Sequence, residues 1–157
     1  MRVGIGFDLH PFGEGRPLIL GGVKIPSEKG LLGHSDADCL THALCDALLG
    51  ALGKGDLGSH FPDTDPRYKG ISSLLLLEEV VEMARREGWE VENVDATIVA
   101  QGPRLAPYLS QMEERIARTL RVEPGKVNVK ATSPEALGAL GREEGIGALA
   151  VVLLRRG

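Results

Sequence analysis

Asp8 and His10 stand two residues apart at the end of the apolar stretch VGIGFDLHPFG, residues 3–13. Alternate residues of a β-strand point to the same face, so the carboxylate and the imidazole should lie side by side. Carboxylate oxygens and imidazole nitrogens are ordinary ligands of zinc and similar divalent ions. A third ligand must come from elsewhere, and the other histidines are His34, His42 and His60. Two interpretations remain open: a metal site, or a polar pair that only caps the loop after the strand.

His42 is the histidine whose neighbours best suit a metal ligand. It lies in the stretch GLLGHSDADCLTHALCDALLGAL (30–52), which has the composition of a helix. Asp38 lies one turn before His42 and Asp46 one turn after it, so either carboxylate could orient the imidazole ring. The sequence thus offers a third ligand together with candidates for its support.

The segment GHSD, residues 33–36, combines a glycine turn, an imidazole and a hydroxyl before this helix. Ser35 is a good N-cap, and Asp36 and Asp38 would then favour the first helical turn. Free backbone N–H groups at a helix N-terminus bind phosphate, and His34 could add a charge-assisted hydrogen bond. The alternative is that Ser35 is only a cap and His34 only a surface residue.

Asp56, Asp63 and Asp65 lie in the loop KGDLGSHFPDTDPRYKG (54–70), among glycines and prolines. Carboxylates on a rigid loop could hold the hydroxyls of a polyol or a hard cation. Asx-turns also need aspartates, so the same three residues could serve the loop alone.

Two further loops follow predicted strands. In AQGPRLAP (100–107), Arg104 could meet a phosphate. ATSPE (131–135) offers two hydroxyls and Glu135, or else a helix start that is capped by Ser133.

The elements that must position these residues follow from hydrophobic periodicity and turn residues. They are a strand at 2–10, a hairpin over 16–25 that turns at Gly21-Gly22, a helix within 30–52 that Gly53 ends, an ordered loop at 53–71, a helix from Ser72 or Ser73 to Glu87, a strand at 91–101, a helix at 106–120, and strands at 127–132 and 146–155. We expect a single α+β domain over residues 1–157, with a mixed β-sheet, helices packed on one face and a short N-terminal hairpin. The last strand is apolar on both faces, so the uncovered sheet face should meet another subunit.

Composition excludes several classes of protein. The 157 residues are 43% hydrophobic and 25% charged, which is typical of a globular domain with its own core. A net charge of −4 argues against a general nucleic-acid binder. The N-terminus does not have the pattern of a signal peptide, and the apolar runs are too short to span a bilayer, so we expect no membrane association and a cytoplasmic location. Cys39 and Cys45 match no metal or redox motif, and we expect two reduced core cysteines.

Taken in order, these segments resemble the 2-C-methyl-D-erythritol 2,4-cyclodiphosphate synthase family of the non-mevalonate isoprenoid pathway. The resemblance covers nearly the whole chain, and a joint match of this extent is far more specific than any one motif. It is carried by GFDLHPF (6–12), LILGGVKIP (18–26), KGLLGHSDAD (29–38), THALCDALLGA (41–51), GDLGSHFPDTDPRYKG (55–70), NVDATIVAQGP (93–103), VNVKAT (127–132) and GREEGIG (141–147).

The resemblance implies the conversion of 4-diphosphocytidyl-2-C-methyl-D-erythritol 2-phosphate into the cyclic diphosphate, with release of CMP. The 2-phosphate would attack the β-phosphate of the same molecule. The implied zinc ligands are Asp8, His10 and His42. A second ion, Mg²⁺ or Mn²⁺, would lie near Glu135, and His34 and Ser133 would be the catalytic side chains.

Members of the family are homotrimers whose active sites lie between adjacent subunits, so the sheets would assemble around a trimer axis. The resemblance also implies a set of substrate-binding positions. These are Ser35 at the diphosphate; Asp56, Leu57, Gly58, Phe61, Pro62, Asp63, Thr64 and Asp65 around the methylerythritol; Ala100, Gln101, Gly102, Pro103, Arg104, Leu105, Ala106, Ala131 and Thr132 around the cytidine; and Arg142.

The sequence departs from the usual family pattern in several places. Ala37 stands where many members have glycine, and Gly102 and Arg104 replace an alanine and a lysine. Ser133 replaces the commoner threonine and keeps the hydroxyl, and Ala139 stands where an aromatic residue is frequent. These differences concern the shape of the cytidine and inter-subunit pockets rather than the reaction.

Two other functions fit the same residues. A metal-dependent phosphohydrolase acting on a cytidine diphosphate ester would use Asp8, His10 and His42 to activate water. A nucleotide- or isoprenoid-binding sensor would instead use an axial channel of the trimer, where Phe7 and Arg142 could hold an isoprenoid diphosphate. Arg142, which stands between glycines in GREEGIG, could also be only part of a charged turn without a binding role.

Overall fold

The computed structural model describes residues 1–157 and contains a mixed five-stranded sheet with a separate hairpin. The strands are β1 (Arg2–Gly13), β2 (Leu18–Leu20), β3 (Val23–Ile25), β4 (Gly30–Leu31), β5 (Trp89–Val99), β6 (Val127–Thr132) and β7 (Gly145–Arg156). The sheet order is β4-β1-β7-β5-β6, and β2 pairs with β3 across the predicted Gly21-Gly22 turn. Strand β7 is antiparallel to both of its neighbours, whereas β5 and β6 are parallel. The C-terminal ends of β1, β5 and β6 therefore lie at the same edge of the sheet.

Helices cover one face of this sheet, as predicted. They are α1 (Cys39–Leu52), α2 (Leu57–His60), α3 (Ser73–Arg86), α4 (Leu109–Leu120) and α5 (Gly138–Gly141), with short 3₁₀ turns at Pro66–Tyr68, Ala106–Tyr108 and Pro124–Lys126. One continuous hydrophobic core joins the hairpin, the long helices and the inner face of the sheet. None of the helices is long and apolar enough to cross a membrane.

Two glycines let helix α1 lie directly on strand β1. A Cβ atom at Gly4 would come within 1.9 Å of the carbonyl oxygen of Ala47, and one at Gly6 within 1.9 Å of that of Ala43. Only residues without a side chain permit so close an approach. The inner face of β1 therefore carries no side chain at Gly4 and Gly6, and its next two inner positions carry Asp8 and His10.

The outer face of the sheet is apolar and uncovered. Its side chains on β1 are Val3, Ile5, Phe7 and Leu9, which are 68%, 66%, 54% and 50% exposed. Val151 of β7 pairs with Ile5 and is 43% exposed, so the strip continues onto the neighbouring strand. The predicted uncovered apolar face is present, and a contiguous strip of this kind is typical of an interface.

The start of helix α1 differs from the prediction. Asp38, not Ser35, is the N-cap, because its side chain accepts the N–H of Thr41. Ala37 has a φ of +59°, a left-handed conformation that stops the helix from extending further back. Ser35 instead accepts the N–H of Ala37 in a local turn. Glycine adopts a positive φ without strain, which gives a physical reason for the glycine that the family often has at position 37.

The other element boundaries shift by a few residues. Strand β1 continues to Gly13, and β5 spans Trp89–Val99 rather than 91–101. The predicted loop at 53–71 contains α2 and a 3₁₀ turn. Ser133 caps no helix: its Oγ accepts the N–H of Glu135 in a turn, and the next helix begins at Gly138.

Candidate metal centre and phosphate site

Three side chains converge in the C-terminal half of strand β1. The Oδ2 atom of Asp8 lies 2.8 Å from Nε2 of His10 and 3.3 Å from Nδ1 of His42. The two imidazole nitrogens are 3.1 Å apart. Asp8 and His10 share the inner face of β1, as the spacing predicted, and the close approach of α1 brings His42 against them.

This geometry fits a divalent ion. A tetrahedral ion with bonds of about 2.1 Å holds its ligand atoms roughly 3.4 Å apart, so the three atoms, 2.8–3.3 Å apart, need to separate only slightly to hold one. The Oδ2 atom of Asp8 is buried, and its polar neighbours are the two imidazole nitrogens. A buried carboxylate oxygen is costly unless a proton or a metal ion between it and these nitrogens compensates its charge. Asp8, His10 and His42 are therefore a candidate site for a divalent ion.

The charges at the site also favour a cation. Burial raises the pKa of the Asp8 carboxyl, but His10 and His42 outweigh it and lower the pKa to about 2. Burial lowers the pKa of His10, but Asp8 outweighs it, so the pKa of His10 is raised. The carboxylate therefore stays ionised and attracts a positive charge to its neighbours, either a proton or a metal ion.

The second nitrogen of each imidazole faces an oxygen. Nδ1 of His10 lies 2.9 Å from the carbonyl oxygen of Leu32. A carbonyl only accepts, so this nitrogen carries the hydrogen and Nε2 is left free for a metal. Nε2 of His42 lies 3.0 Å from Oγ of Ser35 and 2.9 Å from Oγ of Ser73.

Neither Asp38 nor Asp46 orients His42, so that expectation was wrong. Asp38 is fully buried, and its oxygens accept the N–H groups of the β2–β3 turn together with the N–H and hydroxyl of Thr41. Asp46 accepts the N–H of Leu57 at 2.7 Å. Both carboxylates hold backbone around the site, because unpaired N–H groups at helix starts and tight turns capture them first.

The triad lines a cavity of about 460 Å³ beneath the loop that follows α1. Of the predicted site residues, the cavity brings together Asp8, His10, His34, Ser35, His42, Leu57, Gly58, Phe61, Pro62 and Asp63. His34 leans towards the loop, with Nε2 2.7 Å from the carbonyl oxygen of Asp65. The cavity therefore combines a cation site with an imidazole and a hydroxyl suited to phosphate.

Two of the three loop aspartates are used by the loop itself. Asp56 caps α2 by accepting the N–H and the hydroxyl of Ser59. Asp65 caps the following 3₁₀ turn and forms a 2.7 Å ion pair with Arg67. Asp63 is the one of the three that lines the cavity. The Asx-turn interpretation thus accounts for Asp56 and Asp65. These two residues and Thr64 do not line the cavity.

The remaining predicted residues form a second group at the ends of β5 and β6. Parallel pairing places Val99 beside Thr132, and the two following segments, 100–106 and 131–135, stay joined. The N–H of Ala100 donates to the carbonyl of Thr132, and that of Ala136 to Oε1 of Gln101. Within one chain, these segments do not line the cavity of the triad.

Arg142 lies near this second group and faces a cavity other than that of the triad. It forms a 2.7 Å ion pair with Glu144. Together with Phe12, Gly102 and Pro103 it lines a cavity of about 450 Å³. Arg142 is therefore separate from the metal cavity in the single chain.

Sequence reasoning missed Ser73 and Asp36 as neighbours of the candidate metal ligand. Ser73 was considered only as a helix start, and Asp36 only as an acidic residue of the first turn of α1. No local signal links them to His42, because Ser73 lies 31 residues further along the chain. Only the packing of the α3 N-terminus against the loop before α1 brings them together.

The fold and the triad define an α+β domain with a candidate metal site that opens at one edge of a mixed sheet. The YgbB family model matches residues 1–155, and the chain belongs to that family. A relative from Syntrophobacter fumaroxidans, named 2-C-methyl-D-erythritol 2,4-cyclodiphosphate synthase, is 63% identical and covers 99% of this chain and 98% of its own.

Solved structures of similar proteins share the fold. The bifunctional IspDF from Campylobacter jejuni has a TM-score of 0.96 at 45% identity; the match covers 99% of this chain, which spans 42% of that protein. A 2C-methyl-D-erythritol-2,4-cyclodiphosphate synthase in a form bound to CDP has a TM-score of 0.90 at 38% identity, covering 98% of this chain and 100% of that chain.

Proposed function

We propose that the protein converts 4-diphosphocytidyl-2-C-methyl-D-erythritol 2-phosphate into 2-C-methyl-D-erythritol 2,4-cyclodiphosphate and CMP. The observation that carries the proposal is the Asp8–His10–His42 triad, which faces one cavity in a chain 63% identical to a synthase of that name. An oxygen of the 2-phosphate attacks the β-phosphorus of the same molecule and closes the ring. The bond from that phosphorus to the CMP oxygen breaks, and CMP leaves with the electron pair.

This reaction asks the protein for positioning and charge neutralisation rather than for a nucleophile. The attacking phosphate is tethered to the phosphorus that it attacks, so much of the entropic cost is already met within the substrate. We assign zinc to the triad, because two imidazole nitrogens and one carboxylate oxygen suit it and leave a fourth position open. When bound, zinc would neutralise phosphate charge and polarise a phosphoryl oxygen.

His34 and Ser35 are proposed to hold the diphosphate. Nε2 of His34 donates to the carbonyl of Asp65, so Nδ1 is the atom left to face a ligand. As an imidazolium, His34 would donate from Nδ1 to a phosphate oxygen. Ser35 is 6% exposed and lines the same cavity. Asp63 and Gly58 are the lining residues proposed for the methylerythritol hydroxyls.

The second group of residues is proposed to bind the cytidine and a second ion. Ser133 accepts the N–H of Glu135, which leaves its hydroxyl proton for a phosphate oxygen. The exposed carboxylate of Glu135 is the ligand proposed for Mg²⁺ or Mn²⁺, which prefer oxygen. The cytidine would lie against the segments 100–106 and 131–132.

We further propose a homotrimer in which each active site combines two chains. Two observations support it: the uncovered apolar strip along β1 and β7, and the separation of the metal cavity from the cytidine segments. Sedimentation equilibrium should give three times the chain mass of 16.7 kDa. A monomer that remains active would overturn this part of the proposal.

An isoprenoid diphosphate is the ligand proposed for the channel along the trimer axis. Phe7, on the uncovered face, would supply apolar contact, and Arg142 would supply the cation for the diphosphate. Adding such a diphosphate should raise the melting temperature or change the turnover, and no effect on either would overturn this assignment.

We assign the protein to the cytoplasm, since its free buried cysteines, Cys39 and Cys45, suit a reducing compartment.

Phosphorus NMR of the reaction products tests the proposal. The purified protein, supplied with Zn²⁺ and Mg²⁺, should turn the substrate into CMP and a cyclic diphosphate. Linear monophosphates would instead identify a metal-dependent phosphohydrolase that uses the same triad. No turnover with both ions present would overturn the enzymatic assignment.

A further inference from the structure

The imidazole of His42 rests on two buried hydroxyl groups. Its Nε2 lies 2.9 Å from Oγ of Ser73 and 3.0 Å from Oγ of Ser35. Ser73 is fully buried, and His42 is 8% exposed. A hydroxyl can donate or accept, so these distances alone leave the direction of the hydrogen bond open.

Asp36 sets that direction. Oγ of Ser73 is also hydrogen-bonded to Oδ1 of Asp36. An ionised carboxylate only accepts, and a serine hydroxyl has a single proton, so Ser73 donates that proton to Asp36. Ser73 can then only accept from His42. Ser73 therefore favours the tautomer that carries its proton on Nε2, with the lone pair of Nδ1 facing Asp8 and His10; the hydroxyl of Ser35 and the carboxylate of Asp8 are the groups that compete with it.

Asp36 also fixes where Ser73 stands. Its Oδ2 accepts the N–H of Ser73, the first residue of α3, while the N-cap residue Ser72 makes no side-chain cap. The N–H of Asp36 donates to the carbonyl of Ile71. One carboxylate thus caps α3, aims the Ser73 hydroxyl and ties the helix to the loop before α1.

We propose that Ser73 and Asp36 are positioning residues for His42: they keep its proton on Nε2 and so present Nδ1 to the metal. The inference rests on the proposed function, since it takes His42 to be a metal ligand. His10 has the corresponding support from the carbonyl of Leu32. The two histidines are thereby held with opposite nitrogens towards Asp8, Nε2 from the strand and Nδ1 from the helix.

The tautomer can be read without any metal or substrate. Long-range ¹⁵N–¹H NMR of the metal-free protein, labelled at histidine and held at mildly alkaline pH, should show the proton of His42 on Nε2. Ser73→Ala should change this to a mixture of tautomers. Asp36→Asn should do the same, because an amide can donate to Ser73 and release the hydroxyl proton towards His42. A wild-type His42 with its proton on Nδ1 would overturn the inference.

Zinc affinity provides the second readout. Removing a group that orients a metal ligand costs about 10- to 100-fold in affinity, so we expect a loss of that size in Ser73→Ala and in Asp36→Asn. Thr41→Val is the matched control, because it removes a buried hydroxyl of α1 that bonds to Asp38 and not to His42. It should lower the melting temperature while keeping the tautomer and the affinity. Wild-type affinity in both Ser73→Ala and Asp36→Asn would refute the positioning role.

The outcomes separate this inference from the proposed function. A wild-type protein that binds no zinc at the triad overturns both. A wild-type protein that binds zinc but carries the His42 proton on Nδ1 overturns only the role of Ser73 and Asp36. Because the tautomer is measured in the unaltered protein, the test does not depend on whether either variant folds.

Discussion

Gly6→Ala should disrupt the metal centre although Gly6 touches no ligand. A Cβ atom there would lie 1.9 Å from the carbonyl oxygen of Ala43 and 2.8 Å from the nitrogen of Ala47. Helix α1 must retreat by at least 1.1 Å, from 1.9 to 3.0 Å, before the contact becomes tolerable. Ala43 follows His42 in the chain, so that ligand moves with the helix. Ligand distances at metal sites hold to within about 0.2 Å, and the required shift is several times larger.

Two measurements follow from this displacement. Overpacking of a close contact costs about 1–3 kcal/mol, and a loss of about 2 kcal/mol lowers the melting temperature by roughly 4–8 °C in a chain of this size. Zinc affinity, determined by competition with a chelator, should fall at least about tenfold, because a displaced ligand costs no less than a lost supporting group.

Gly50→Ala is the matched control in the same helix. Gly50 is exposed, and the nearest atom to an added Cβ, the carbonyl oxygen of Ile5, lies at 3.8 Å, which is ordinary contact. This change should stabilise the protein by about 0.5–1 kcal/mol through helix propensity and leave zinc affinity unchanged. If Gly6→Ala kept wild-type zinc affinity and had the same melting temperature as Gly50→Ala, the close packing of α1 on β1 could not be what positions His42.

Further predictions concern His42, Ser133, the pKa of His10 and the apolar strip. His42→Ala should remove the bound zinc, and elemental analysis that found full zinc would refute its role as a ligand. Ser133→Ala should lower the turnover while zinc content stays intact; an unchanged rate would leave Ser133 with only its turn. Asp8 raises the pKa of His10, against the opposing effect of burial, so protons compete for Nε2 and zinc affinity should decline as the pH falls through that pKa. In the metal-free protein, the same raised pKa adds to the free energy of unfolding at acid pH and stops doing so as the pH rises through it. The stability of the metal-free protein should therefore fall with rising pH, whereas the zinc affinity should rise. Ile5→Glu places a charge on the exposed apolar strip and should yield a smaller species in sedimentation, whereas an unchanged mass would exclude that strip as the interface.

The local elements could be predicted because their causes are local. The alternation of glycine and apolar residues through Phe7 predicted a strand with Asp8 and His10 on one face, and the structure confirms both, although the strand continues to Gly13. The hairpin turn at Gly21-Gly22 and the end of α1 at Gly53 were also correct, since positive φ values at these glycines are set by neighbouring residues.

The start of α1 was wrong for a reason that is also physical. Ser35 and Asp38 are both good N-caps with similar propensity, and the prediction took the first of them. The left-handed backbone at Ala37 and the 3.0 Å contact between Oγ of Ser35 and Nε2 of His42 belong to the folded arrangement. Nothing in residues 33–38 alone distinguishes these two possible caps.

The sequence by itself determined which residues could bind a metal and phosphate, and it placed two of them on one strand face, because strand periodicity acts over a few residues. It also determined the family, because many weak motifs occur together in order. Only the tertiary structure decided what supports His42. The carboxylates nearest in sequence, Asp38 and Asp46, accept backbone N–H groups instead of contacting the imidazole. The ring therefore meets Ser73, and through it Asp36, at a packing contact between segments that sequence separation cannot reveal.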